Sequence, residues 1–168
     1  MSDRDALLFA NEAFYRAFAG RDLKAMTELW SNEIAEFHGE FVDFAPVTCS
    51  PRPVQKSIPI LVGGDTDAAI QRAVRIADGY FPGEGDAERL RLLIARLRAA
   101  AERADRDPDS IEINAMFGAQ MADPVAGAQQ LSEIGVGRAM IPAFFFAGPG
   151  GLDRLSEFGE RVVLPTRS

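Results

Sequence analysis

From residue 58 onward, short apolar runs alternate with amphipathic helical patterns, and this alternation limits the possible folds more than any other feature of the chain. The apolar runs lie at residues 59–64, 78–82, 110–120 and 138–146. The helical patterns follow at residues 66–77, 86–104, 124–134 and 150–161. Because strands that alternate with helices form parallel sheets with right-handed crossovers, the pattern predicts an α/β fold of four strand–helix pairs.

Four strand–helix pairs are half of an eight-stranded TIM-type barrel, and they could also form a small open sheet with helices on both faces. The first run, "PILVGG", is continuously apolar, which predicts a strand buried on both faces. A half-barrel leaves two edge strands and one uncovered face. We therefore expect the (βα)4 half-barrel to be completed by self-association into a homo-oligomer, with the N-terminal helices contributing.

The segment before this region predicts helices, a hairpin and an extended connector. Residues 3–19 have an amphipathic helical pattern whose apolar positions are Leu7, Leu8, Phe14, Tyr15 and Phe18. Asp22 is placed to cap a second helix. The alternation "EFHGEFVDF" predicts a short hairpin or strand with Phe37, Phe41 and Phe44 as its apolar positions, and a proline-rich connector follows. We divide the chain into a helical segment (1–31), a hairpin and connector (32–57) and a half-barrel (58–168).

Composition and charge narrow the possible partners. The net charge is −7 and the pI is about 4.8, which argues against nucleic acid and anionic membranes because both bind basic surfaces. No apolar run approaches the ~20 residues that span a bilayer, and the acidic N-terminus does not resemble a signal peptide. With Cys49 as the one cysteine, no internal disulfide can form. These features predict a cytoplasmic protein.

The turn after the first strand is a candidate anion site. Gly63 and Gly64 lie between a strand and a helix, where backbone N–H groups can approach a phosphate at the positive helix end, and Thr66 could donate its hydroxyl. The alternative is a turn that needs glycine only for its backbone geometry. Asp65 and Asp67 favour that alternative, because either can cap the helix and both place negative charge where a phosphate would lie.

Other polar residues give weaker signals. His38, the only histidine, could act as an acid–base group, but its position favours a partly exposed hairpin residue. The chain has no histidine or cysteine pattern for zinc, so no metal site is predicted. Glu112 and Asn114 give one strand a polar face, which could line a site in a closed barrel or face water. The arginines of residues 86–104 are expected to form a solvated outer face.

Several segments together resemble the C-terminal half of the bacterial luciferase-like monooxygenase family over residues 33–164. They are "FHGEFVDF", "PRPVQKSIPILVGG", "AAIQRAVRIADGYFP" and "GVGRAMIPAF", in that order and spacing. The resemblance implies a (β/α)8 barrel enzyme that uses FMN or the deazaflavin coenzyme, with the four strands above as barrel strands five to eight. It also implies cofactor contacts at Gly63 and Gly64.

The segment "FFFAGPGG" is a second candidate cofactor loop. Its phenylalanines offer apolar walls for an isoalloxazine ring, and its glycines, including Gly148 and Gly150, precede a helix. Core or interface packing by the aromatic residues is the alternative. No residue is assigned a catalytic role, because in this family much of the substrate pocket belongs to the first four units of the barrel.

The first thirty residues resemble a different family. The segment "ANEAFYRAFAGRDLKAMTELWS" is similar to the opening helices of the SnoaL-like family, which suggests a chimera. Three functions follow as hypotheses. They are a flavin- or deazaflavin-dependent oxidoreductase or a remnant of one, a non-catalytic self-associating scaffold, and a SnoaL-like isomerase or cyclase. The last needs a bent antiparallel sheet, which the strand–helix alternation contradicts.

Overall fold

Two helices and a hairpin make up the first of two units into which the chain divides, one ending at Ile58 and the other beginning at Pro59. The structure is a computed structural model that describes residues 3–55 and 57–165. The elements of the first unit are α1 (Asp3–Ala19), α2 (Leu23–Ser31), β1 (Ala35–His38) and β2 (Asp43–Val47). Asp22 caps α2 as predicted, since its carboxylate accepts hydrogen bonds from the N–H groups of Lys24 and Ala25.

The predicted hairpin is confirmed, with one change in its apolar positions. Strands β1 and β2 pair antiparallel, and Phe37 stacks on Phe44 with 6.0 Å between ring centroids. Phe41 is 79% exposed, and its neighbour Val42 is buried instead. Val42 and Phe44 join a small core with Ala13, Ala17, Ala25, Leu29 and Ala35. Leu7 was predicted as an apolar position of α1, but its side chain is not among those that the structure describes.

Within residues 59–165, the second unit is built on four parallel strands and four α-helices. The strands are β3 (Leu61–Gly63), β4 (Gly79–Phe81), β5 (Glu112–Met116) and β6 (Arg138–Met140). The helices are α3 (Asp67–Ile76), α4 (Ala87–Arg103), α5 (Pro124–Glu133) and α6 (Gly151–Phe158), with a π-helical turn at Gly159–Val163. The sheet order is β3-β4-β5-β6 and every pair is parallel, which confirms the predicted α/β fold.

Alternate residues of the strands face opposite sides of the sheet. Val62, Tyr80, Ile113 and Ala115 pack in one core with the buried residues of the helices, such as Leu90 and Leu97. By the pleat, the next residue along each strand faces the other side. That side, which we call the inner face, includes Leu61, Phe81, Glu112, Asn114, Met116, Arg138 and Met140.

The strands are shorter than the apolar runs predicted. Residues 110–120 contain a five-residue strand, after which Ala119–Ala122 form a 3₁₀ turn, and β6 stops at Met140, before Pro142 and a second 3₁₀ turn at Ala143–Phe146. A strand buried on both faces was also the wrong prediction for residues 59–64, because Val62 is buried but Leu61 is 42% exposed. The reason is topological: β3 lies at the edge of the sheet.

One arginine caps the end of α3. The guanidinium of Arg106 donates hydrogen bonds to the carbonyl oxygens of Ala73 (3.3 Å), Val74 (2.8 Å) and Ala77 (2.6 Å). Ala73 and Val74 lie in the last turn of α3 and Ala77 is its C-cap; the carbonyl of Ala73 also accepts from the N–H of Ala77, and a cation at this end complements carbonyl groups that a helix end leaves without partners. Arg106 therefore joins α3 to the segment that connects α4 and β5.

No helix within residues 3–55 and 57–165 is long and apolar enough to cross a membrane.

Candidate functional site

The four loops that follow the parallel strands lie at one edge of the sheet. Hydrogen bonds join each loop to the next along this edge. Phe81 accepts from the N–H of Gly64 at 3.4 Å, Glu84 accepts from the N–H of Met116 at 2.9 Å, and Met140 accepts from the N–H of Phe117 at 2.8 Å. Ligand sites of parallel α/β sheets form at this carboxyl-terminal edge, so it is the place to look for a function.

The turn between β3 and α3 requires glycine at its centre. Gly64 has φ +110°, and a Cβ atom added there would lie 3.0 Å from the Cβ of Ala69. Thr66 caps α3, because its hydroxyl oxygen accepts a hydrogen bond from the N–H of Ala69 at 3.2 Å. The expectation that Asp65 or Asp67 caps the helix was therefore wrong.

The N-terminal end of α3 presents four consecutive backbone N–H groups. Among the described residues, the backbone N–H groups of Asp65, Thr66, Asp67 and Ala68 have no hydrogen-bond partner. All four residues are exposed. They lie at the N-terminal end of α3, where the helix dipole also favours negative charge. The turn can therefore accept an anion through its backbone alone.

Side chains of β4 and α4 donate hydrogen bonds to carbonyl groups of the same turn. The buried hydroxyl of Tyr80 donates to the carbonyl oxygen of Gly64 at 2.7 Å. Arg96 of α4 donates to the carbonyl oxygen of Asp65 at 3.3 Å and to the carboxylate of Asp67 at 2.7 Å. Burial raises the pKa of the Tyr80 hydroxyl, so it stays protonated and able to donate.

Both aspartates of the turn have cationic partners. Arg96 pairs with Asp67, and Arg89 lies 3.8 Å from the carboxylate of Asp65. The hydrogen bond to Asp67 raises the pKa of Arg96 further above its usual range. The objection that the aspartates would repel a phosphate is thus weakened. The sequence predicted these arginines on a solvated face. Arg89 and Arg96 are seven residues apart, about two turns, which places them on the same side of α4 and could have indicated a shared role.

The second glycine turn follows β6, the edge strand on the opposite side of the sheet from β3. Gly148 and Gly150 have φ +80° and +70°, and Arg154 donates to the carbonyl oxygens of Ala147 and Pro149 at 2.8 and 2.9 Å. Strands β4 and β5 separate β6 from β3. At ~4.8 Å per strand, the two strands that precede the glycine turns are about 14 Å apart in the sheet.

The phenylalanines before this turn are divided between core and solvent. Phe146 contacts Phe158 with 5.8 Å between ring centroids, whereas Phe144 is 70% exposed. The packing alternative therefore accounts for Phe146.

The polar residues of β5 do not share one environment. Glu112 forms an ion pair with Arg138 of β6 at 3.3 Å. Asn114 is fully buried, and its Oδ1 has no hydrogen-bond partner among the described residues. Across residues 3–55 and 57–165 there is no group of three or more His, Cys, Asp or Glu side chains that could hold a metal ion.

His38 lies at the end of β1 between two carboxylates, with its side chain 62% exposed. Its Nδ1 is 2.7 Å from Asp43 and its Nε2 is 2.9 Å from Glu36. The hydrogen bond to Asp43, followed by the one to Glu36, raises the pKa of His38. We expect its ring to titrate above 6.5. The contribution of the His38 contacts with Asp43 and Glu36 to hairpin stability is then complete below pH 6.5 and is lost as the pH rises through the raised pKa.

Because His38 is the only histidine, an NMR titration of its ring protons reports this pKa directly. The substitution Asp43→Asn should return the pKa towards its ordinary value. A wild-type pKa at or below 6.5 would contradict the prediction.

Comparisons with known proteins identify the family of the chain. Residues 23–157 match the sequence profile described as luciferase-like monooxygenase. An uncharacterized protein of Mycobacterium tuberculosis is 41% identical over 109 residues, which is 64% of this chain and 36% of that protein. The FMNH2-dependent dimethylsulfone monooxygenase of Pseudomonas putida is 32% identical over 80 residues, 47% of this chain and 22% of that enzyme.

Solved structures show the same fold. The coenzyme F420-dependent tetrahydromethanopterin reductase of Methanopyrus kandleri aligns with a TM-score of 0.60 at 14% identity, covering 83% of this chain and 60% of the reductase. An F420-dependent secondary alcohol dehydrogenase also aligns with a TM-score of 0.60. At such low identity these likenesses show the fold alone.

The match is partial in two respects. The chain spans about a third of the length of the first curated relatives it matches. The family match begins at Leu23, so the whole of α1 lies outside it, and these comparisons do not support the SnoaL-like resemblance of the first residues. Since the match covers most of the chain, the protein belongs to the luciferase-like monooxygenase family.

Proposed function

We propose that this chain binds FMN or coenzyme F420 at the carboxyl-terminal edge of its parallel sheet, as the cofactor-binding part of an oxidoreductase. The observation that carries the proposal is the run of unpaired N–H groups from Asp65 to Ala68. Relatives named as FMNH2-dependent and structural neighbours named as F420-dependent support this choice of cofactor. The comparisons lend no support to the scaffold or isomerase alternatives.

The residues present fit the anionic part of such a cofactor. The N–H groups of the turn would hold a phosphate oxygen, and the Thr66 hydroxyl can donate its hydrogen because its oxygen already accepts from Ala69. Gly148 and Gly150 would contact a different part of the molecule, since their turn follows β6 and two strands separate β6 from β3. When bound, the flavin or deazaflavin ring supplies the redox chemistry. No side chain of this chain is assigned to the reacting atoms.

The first test is a titration of the purified chain with FMN and with F420, followed by absorbance and fluorescence. Substitution of Gly64 would not be informative, because its φ of +110° and the 3.0 Å approach to Ala69 make any side chain disruptive. Absence of binding at high micromolar concentrations of both cofactors would contradict the proposal.

A sharper test removes one N–H group from the turn. Asp67 is the first residue of α3, where proline is well tolerated, and Thr66 before it has φ −83° and ψ 159°, which suits a residue preceding proline. We expect Asp67→Pro to bind FMN about tenfold more weakly than Asp67→Ala, in line with the loss of one charged hydrogen bond. Both variants lack the carboxylate and differ in the N–H group, so equal affinities would exclude its use.

We propose further that the chain self-associates through the second unit. Strands β3 and β6 are both edges of the sheet, and Leu61 and Met140 of the inner face are 42% and 38% exposed. Two copies would bring eight parallel strands together, the number in a closed barrel.

Size-exclusion chromatography with light scattering should give a mass of about twice the 18.2 kDa of the chain, or above. Met140→Lys places a charge at this edge and should shift the population towards monomer. A wild-type chain that stays monomeric at high concentration would contradict self-association.

A further inference from the structure

We propose that Tyr80 and Arg96 are positioning residues that turn two peptide groups of the β3–α3 turn towards a bound anion. This inference rests on the proposed function, because it concerns how the same turn would hold the phosphate group of the cofactor. Tyr80 lies in the core of the second unit and Arg96 lies on α4, so neither belongs to the turn itself.

The geometry of the peptide bond carries the argument. In a trans peptide the C=O and the following N–H point in opposite directions. The hydroxyl of Tyr80 holds the carbonyl of Gly64 at 2.7 Å, which directs the N–H of Asp65 away from the core. Arg96 holds the carbonyl of Asp65 at 3.3 Å, which directs the N–H of Thr66 away from α4. These two N–H groups begin the unpaired run.

Neither contact is needed to cap a helix. Thr66 caps α3 and Asp86 caps α4, each through its own side-chain oxygen. Arg96 and Asp67 are 45% and 90% exposed, and exposed ion pairs add little to stability. The two contacts fix the orientation of two peptide groups in the turn. The N–H groups of residues 65–68 have no hydrogen-bond partner among the described residues.

Arg96 has a second effect on the same turn. Its guanidinium compensates the charge of Asp67, and Arg89 lies near Asp65. Without these cations, two carboxylates would stand beside the bound phosphate and oppose it. Loss of Arg96 should therefore weaken the binding of a phosphate-bearing ligand through both orientation and charge.

The experiment compares a ligand with and without its phosphate. FMN and riboflavin share the same ring and differ in the phosphate, so the ratio of their dissociation constants reports the turn. We expect Tyr80→Phe and Arg96→Gln each to raise the Kd for FMN about fivefold to tenfold, as for loss of one oriented hydrogen bond, with little change for riboflavin. Arg91→Gln is the matched control, since Arg91 lies on the same helix and pairs with Glu88.

The possible outcomes distinguish failure of this inference from failure of the proposed function. Equal changes for FMN and riboflavin, or no change in either, would overturn the role of Tyr80 and Arg96 and leave cofactor binding intact. If the wild-type chain binds neither ligand, the same ratio is measured for F420 and its phosphate-free deazaflavin precursor. Failure to bind any of the four would overturn the proposed function and this inference together. Circular dichroism of each variant verifies that it is folded.

Discussion

Replacement of Gly151 by alanine is expected to destabilise the second unit by about 3 kcal/mol, the upper end for overpacking a tight site. Gly151 is buried at the start of α6, and a Cβ atom added there would lie 1.9 Å from the carbonyl oxygen of Phe146. Backbone on both sides of this contact must move to relieve the overlap. Urea-induced unfolding followed by circular dichroism measures the change.

The matched control is Gly159→Ala, a few residues further along the same helical segment. Gly159 has φ −57° and ψ −47°, and an added Cβ would meet nothing within 4 Å. Alanine there should stabilise by about 0.5–1 kcal/mol, because it removes backbone freedom from the unfolded chain. If the two substitutions had similar effects, the close approach at Gly151 would be wrong.

The second large effect is expected at Arg106. Removal of its guanidinium in Arg106→Met leaves the carbonyl groups of Ala73, Val74 and Ala77 without this partner and takes a positive charge from the C-terminal end of α3. Charged hydrogen bonds contribute about 1.5–3 kcal/mol, so a loss of about 2–3 kcal/mol in the free energy of unfolding is expected. Methionine keeps the apolar stem, so the loss reports the polar contacts.

Arg91→Met serves as the control for Arg106→Met. Arg91 pairs with Glu88 three residues earlier on the exposed surface of α4, and such pairs contribute at most about 0.5 kcal/mol. Equal losses for the two variants would show that Arg106 acts only as a surface charge.

Most helix ends were predictable from the sequence, because capping signals are local, although the residue that caps α3 is Thr66 and not the predicted Asp65 or Asp67. Asp22 lies directly before α2, and the patterns at residues 86–104 and 124–134 end within a residue of α4 and α5. Strand lengths were not predictable in the same way, since a strand continues only as far as its neighbour pairs with it. The apolar residues Ala143–Phe146 extend the run of β6 in the sequence but form a 3₁₀ turn.

The candidate site was predictable in part. Gly64 and Thr66 were identified because a strand, a glycine turn and a helix follow one another within a few residues. Tyr80 and Arg96 were missed, since they lie 16 and 31 residues from the carbonyl groups they contact. Tyr80 appears in the sequence as a strand residue, and only the pairing of β3 with β4 brings its hydroxyl to Gly64.

The unpaired turn at residues 65–68 has a consequence for the exchange of amide hydrogens with solvent. Exchange slows where an N–H group is hydrogen-bonded or buried, and these four groups belong to exposed residues and have no hydrogen-bond partner in the part of the chain that the structure describes. They should exchange at rates near those of an unstructured peptide, whereas the hydrogen-bonded N–H groups later in α3 should exchange more slowly. An anion seated on the turn would slow these four positions and few others, so deuterium uptake of one short peptide could report occupancy without a spectroscopic ligand.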